Sequence, residues 1–188
     1  KIFKQGVAYV KDKRERKANY KWVDFYMEFA DVLLTYKNNR SALIENVKEV
    51  YQITNLKLPT LEHNNKIEDM DPFTVFALFN KGISDENRIK ILNAITDVFK
   101  VKAEVPTVFD GIPVVNNLRA TFYYFKGDRE IHDIDNLWEV FENAIQYSET
   151  LGEPYKSNLQ KYYDEVRKQK GVSWNITMGL YWIRPNTF

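Results

Sequence analysis

Between Tyr20 and Tyr36 the residues Trp22, Phe25, Phe29, Leu33 and Tyr36 recur at steps of three and four, which puts them all on one side of a helix turning every 3.6 residues. The same spacing returns along the chain. It organises Leu43, Ile44, Val47, Val50 and Tyr51, then Ile89, Leu92, Ile95 and Phe99, then Trp138, Phe141, Ala144 and Ile145, then Leu159, Tyr162, Tyr163 and Val166, and finally Ile176, Leu180 and Ile183. A strand facing a core needs a period of two instead, and no βαβ alternation is visible. The expectation is a mainly α fold of seven or eight helices, a single compact domain over residues 1–188 with 1–18 as a basic extension. The alternative is an α+β fold with a small sheet. It rests on Val115, Leu118, Phe122 and Phe125, which follow Gly111 and Pro113 at helical spacing but are β-branched or aromatic for the most part.

Boundary residues give these helices ends. Asn38, Asn39 and Arg40 make the first turn, and Ser41 is the expected cap of the second helix. Residues 55–70 contain Pro59, show no period and read as a surface loop. Asp71 before Pro72 is a helix start, because the carboxylate accepts from free amides and proline occupies a position whose N–H has no partner anyway. Gly82 is the expected stop, and Ser84 reopens a helix with Asp85 and Glu86 in its first turn. Asp135, Pro154 and Ser173 are expected to open the remaining helices, and Gly171 and Pro185 to close them.

The chain has 188 residues and no cysteine, so disulfides, thiolate nucleophiles and cysteine metal sites are excluded. No apolar run reaches the roughly 20 residues that a membrane helix needs, and a cytoplasmic location is the default expectation. Net charge is only +1, but it is unevenly spread. Residues 1–40 hold ten Lys and Arg against five Asp and Glu, residues 154–188 hold six against two, and the stretch between them is acidic. Two basic ends that met in space would form a surface able to take a phosphate backbone; the alternative is that the charges decorate solvated helix faces.

Most catalytic patterns are missing. The nearest approach to a phosphate-binding loop, Gly152 to Ser157, has the wrong spacing and sets Pro154 where a free amide is needed. His63 and His132 form no two-histidine metal pattern. His132, Asp133 and Asp135 fit loop and cap roles ahead of a helix better than cation ligands. Glu15-Arg16-Lys17 matches half of a nuclease signature, but Asp12 is too near in sequence to be its preceding acid, so a solvated charge run is the better reading. What remains is a basic cluster of Lys11, Lys13, Arg14, Arg16, Lys17 and Lys21, together with 28 aromatic residues. Most of these rings fall on inward stripes. Trp174, Tyr181 and Trp182 crowd one short segment where not all can face a single core.

Three segments carry a resemblance. They are Asp71-Pro-Phe-Thr-Val-Phe-Ala-Leu-Phe-Asn-Lys-Gly-Ile83 with Asn87-Arg88, Phe109-Asp-Gly-Ile-Pro-Val-Val-Asn-Asn117, and Trp174-Asn-Ile-Thr-Met-Gly-Leu-Tyr-Trp-Ile-Arg-Pro185. In this order they resemble the region N-terminal to the AAA+ motor in McrB-like NTPases of modification-dependent restriction systems, over roughly Trp22 to the C-terminus. The resemblance implies a DNA-recognition domain of a longer protein. The absent motor would hydrolyse GTP and engage an McrC-like nuclease subunit. On this view the chain itself is not an enzyme, needs no cofactor or metal, and contacts double-stranded DNA, methylated or plain. The expected contacts are Lys13, Arg14, Arg16, Lys17, Lys81, Arg88 and Arg184 on phosphates and Trp174 and Trp182 as the aromatic element. Asn80 and Asn116 would read base edges, against the competing role of helix-end hydrogen bonding. A protein-interaction module coupling the motor to a partner is the alternative function, and a self-contained hydrolase is a third.

Overall fold

The computed structural model describes residues 20–116 and 121–188. Among them are seven α-helices: α1 (Val23–Leu34), α2 (Arg40–Thr54), α3 (Pro72–Ala77), α4 (Asp85–Phe99), α5 (Asp133–Thr150), α6 (Tyr155–Val166) and α7 (Asn175–Ile183). The mainly α expectation holds. The only pairing of extended backbone among the described residues is an isolated parallel bridge between Lys81 and Val115. The helix expected over Val115 to Phe125 is not there. Val115 is extended, residues 117–120 lie outside the described part, and residues 121–130 form bends and turns. Local spacing there was helical, but the backbone is claimed by partners far away in sequence.

Several boundaries fall one to five residues from their expected places. Asn39, not Ser41, caps α2, its Oδ1 accepting from the Ala42 amide at 3.4 Å. Helix α3 ends at Ala77, five residues before Gly82. Helix α5 starts at Asp133 and α7 at Asn175, so Asp135 and Ser173 are not their caps. Asp71 and Ser84 do cap as expected, accepting from the amides of Thr74 at 3.0 Å and Asn87 at 3.3 Å.

The short helix α3 is central. All six of its residues are buried, and α1, α5 and α7 surround it. Phe76 meets Tyr26 and Phe29 of α1 at 5.6 and 5.3 Å between ring centres, and Phe73 meets Phe141 of α5 edge-on at 5.4 Å. Gly179 of α7 makes room for Phe73, since a Cβ there would lie 2.5 Å from the ring. Helices α2 and α4 pack on one flank, through Val47, Val50 and Tyr51 against Ile91, Ile95 and Phe99. Helices α5 and α6 form an antiparallel hairpin on the other.

Two long segments, 55–71 with one 3-10 turn at His63–Asn65 and the described residues of 100–132, lie against this bundle, and their buried backbone must find partners. Side chains from the helices and from the loops themselves provide them. The three buried indoles each donate to a loop carbonyl: Trp22 to Asp110 at 3.0 Å, Trp138 to Met70 at 3.0 Å and Trp182 to Pro113 at 2.9 Å. Glu28 accepts from the amides of Lys102 and Ala103 at 2.8 and 2.7 Å. Glu62, 3% exposed, accepts from the amides of His63 and Lys126 and from the Arg129 guanidinium at 2.6 Å.

Asp71 is wholly buried, and no described residue forms an ion pair with it. Burial pushes its carboxyl up to about 6, although the Thr74 hydroxyl and the amides of Thr74 and Phe73 favour the charged form. The sign follows from linkage. The fold binds this proton more tightly than the unfolded chain does, so the stabilising contribution is full below the ordinary aspartate pKa and is lost as pH rises toward 6. Asp71→Asn keeps an N-cap acceptor. It is expected to abolish a decline of about 3 kcal/mol between pH 4 and 6, measured by urea unfolding across pH; an unchanged slope would assign the decline to other groups.

Candidate nucleic-acid interface

The eleven residues expected to contact DNA separate sharply. Lys13, Arg14, Arg16 and Lys17 lie outside the described residues. Asn80, Arg88, Trp182 and Arg184 are buried, at 0%, 5%, 0% and 4% exposure, and must be withdrawn as surface contacts. Each has an internal task. Asn80 Oδ1 accepts from the Tyr26 hydroxyl at 2.8 Å, and its backbone carbonyl accepts from Val115 N at 2.9 Å. Arg88 donates to the Phe79 carbonyl at 2.8 Å and to Asp85, and its guanidinium lies 4.7 Å from the centre of the Phe109 ring. Arg184 pairs with Asp31 and donates to Ser148 Oγ at 3.0 Å. Lys81 is half-buried, and that burial pulls its ammonium pKa below the usual lysine range. Asn116 and Trp174 are exposed.

The same contacts explain the three sequence segments that carry the resemblance. Trp182 of the third donates to Pro113 of the second and stacks on Phe76 of the first at 6.4 Å. Val115 of the second bonds to Asn80 of the first, and Gly179 of the third receives Phe73 of the first. Far apart in sequence, the segments form one packed unit. Their residues are accounted for by folding, and a ligand is not needed to explain them.

What remains on the surface is a different set of residues, at the C-terminal side of α6. Leu159 and Val166 are the buried stripe of this helix. Lys156, Lys161, Arg167, Lys168 and Lys170 are exposed along it and on the turn that follows, interrupted by Asp164 and Glu165. Lys168 pairs with Glu165 at 2.9 Å. Lys161 sits 4.9 Å from the centre of the Tyr162 ring and Arg167 5.7 Å from that of Tyr163, and neither has an ion-pair partner among the described residues. Four residues beyond Lys170 comes Trp174, 74% exposed. At the other end of the described chain, Tyr20 stacks on Trp22 at 5.9 Å, and Trp22 packs against Tyr181 of α7 at 5.7 Å.

Sequence reasoning singled out Trp174 from the crowding around it. It passed over Lys161, Arg167, Lys168 and Lys170, although they make up most of the C-terminal excess of positive charge that it counted.

A second charged region contrasts with this one. An open cleft of about 430 Å³ is lined by Lys37, Asn38, Arg40, Glu68, Asp69 and Arg129. Its cations are committed: Lys37 reaches Glu139 and Glu142 at 2.5 Å, Arg40 reaches Asp69 and Asp135 at 2.9 and 2.7 Å, and Arg129 reaches Glu62. The carboxylates hold the Lys37 ammonium above its ordinary pKa against the opposing effect of burial. This is a clamp between the α1–α2 turn, the loop before α3 and helix α5, and its positive charge is already compensated.

The fold and its surface define a small helical module presenting a basic ridge and one exposed indole. The chain belongs to the family described as domain of unknown function DUF8425, whose model matches residues 22–188. No curated protein and no solved structure matches it. Among the described residues no helix is long and apolar enough to cross a membrane, and no group of three or more His, Asp or Glu is placed to hold a metal ion.

Proposed function

We propose that this chain is the DNA-recognition domain of an McrB-like AAA+ restriction NTPase, non-catalytic by itself, delivering DNA to a motor and to the McrC-like nuclease that the motor engages. The observation that carries the reading is the exposed ridge of Lys161, Arg167, Lys168 and Lys170 leading to Trp174. The cations of the Lys37–Arg40–Arg129 cleft are neutralised at 2.5–2.9 Å, whereas Lys161 and Arg167 lean on tyrosine rings without an ion-pair partner among the described residues. The order of the three sequence segments supports the parentage.

Fluorescence-polarisation titrations of the 188-residue chain with methylated and plain DNA at several salt concentrations test this. Wild type is expected to bind with a steep salt dependence. Replacing Lys161, Arg167, Lys168 and Lys170 together by glutamine is expected to flatten the plot of log K against log salt by roughly 0.7 to 0.9 per lost phosphate contact. An unaltered affinity and slope in that variant would remove the ridge from the interface and favour the protein-interaction alternative.

A further inference from the structure

Trp174 differs from the other three tryptophans in every structural respect. Trp22, Trp138 and Trp182 are 0% exposed, and each indole N–H is spent on a carbonyl. Trp174 is 74% exposed, while the backbone that holds it is fixed. Its carbonyl accepts from the amide and hydroxyl of Thr177 at 3.1 and 2.7 Å, Asn175 N donates to the Val172 carbonyl at 2.9 Å, and the flanking Val172 and Ile176 are wholly buried. The turn that delivers it passes through Gly171 at φ 89° and Ser173 at φ 41°, the latter a left-handed conformation that disfavours any residue with a Cβ. A large apolar ring is therefore held in water on a backbone fixed by these hydrogen bonds and by its buried neighbours. The nearest charges in sequence are Arg167, Lys168 and Lys170, all exposed.

From this arrangement we propose that Trp174 is a stacking platform for an unpaired base, so that the domain takes single-stranded DNA in preference to duplex; the inference rests on the nucleic-acid reading above. An exposed flat ring a few residues from exposed cations suits a base joined to its own phosphates, because every base has a π-face and the backbone brings charge with it. Within a duplex each base is already covered on both sides by its neighbours. Meeting Trp174 would first require unstacking and unpairing, which consumes the gain from the new contact. An unpaired base meets no such cost.

The test uses the full 188-residue chain with a labelled mixed-sequence single strand and with the duplex made from it. Polarisation and intrinsic tryptophan emission are read in the same titration. The single strand is expected to bind about tenfold or more tightly than the duplex and to quench the solvent-exposed, red-shifted part of the emission, which comes from Trp174. Trp174→Ala is expected to weaken single-strand binding by about tenfold to a hundredfold, to abolish the quenching and to leave thermal unfolding unchanged, because the ring contributes little to the core. Trp174→Phe should restore most of the affinity. Duplex binding as tight as single-strand binding, or full affinity in Trp174→Ala, overturns the inference and leaves the DNA-recognition reading standing. No polarisation change with either form at low salt overturns that reading and this inference together.

Discussion

Trp182→Ala is expected to destabilise the domain by about 4 kcal/mol, read from the shift of its urea midpoint at unchanged slope. The ring is wholly buried, stacks on Phe76 and meets Phe122 edge-on at 6.1 Å. Truncation leaves a cavity bordered by α3 and the loop carrying Phe122, neither of which is free to collapse, because Phe76 and Phe73 are held on their other sides by α1 and α5. It also removes the donor to the Pro113 carbonyl. Trp182→Phe separates the two losses: it restores most of the volume without the donor and should cost about 1–2 kcal/mol. A loss below about 1 kcal/mol for the alanine variant would mean that the three segments do not depend on this ring for their mutual packing. Because the residue is buried, the phenylalanine variant should bind DNA as the wild type does, the opposite of what the sequence suggested for this position.

The second large effect is expected at Glu62. Its carboxylate is the sole anion facing Arg129 within ion-pair distance among the described residues, and it also holds the His63 and Lys126 amides. Glu62→Ala would leave the Arg129 side chain, 12% exposed and lying over the Tyr123 ring at 5.1 Å, as an uncompensated buried charge. A loss of about 3–5 kcal/mol is expected in denaturant unfolding. Adding Arg129→Met should recover part of it, since replacing both charges by apolar groups is far less costly than removing one. If the single and double variants are equally destabilised, the amide bonds, not the stranded guanidinium, carry the effect.

The two carboxylates also act on pH in opposite directions. Burial alone would raise Glu62, but the Arg129 guanidinium and the two amides overrule it and hold the carboxyl below its ordinary value. Its stabilisation is present above the ordinary glutamate pKa and fades as the solution is acidified. Asp71, raised to about 6, makes the fold less stable over the range in which it ionises. Acid titration of wild type therefore sums a gain and a loss, and the Asp71→Asn variant removes the first of them.

Helix α1 was legible from Trp22, Phe25, Phe29 and Leu33 because a helix face is set by spacing within a dozen residues. The caps Asp71 and Ser84 were legible for the same reason: the side-chain acceptor and the amide it bonds are three residues apart. The stretch from Val115 to Phe125 was misread because its conformation is decided elsewhere, by the Asn80 carbonyl for Val115 and by the Thr74 hydroxyl for the Phe122 amide at 2.9 Å. The candidate contacts failed in a similar way. Arg88 and Arg184 carry charge, and charge ordinarily marks surface, yet Asp85 and the Phe79 carbonyl, and Asp31 and Ser148, turn these two inward. Nothing within a few residues of either arginine announced all of those partners.

Periodicity, caps and charge counts are local quantities, and from them alone come the helical class, the caps Asp71 and Ser84 and the basic character of the C-terminal end. Which tryptophan points to water was decided only when the chain closed on itself. Trp174 and Trp182 are eight residues apart, the first at the start of α7 and the second near its end. The later ring lies against α3 and the 107–116 loop and is buried, whereas the earlier one extends past the packed surface and remains exposed.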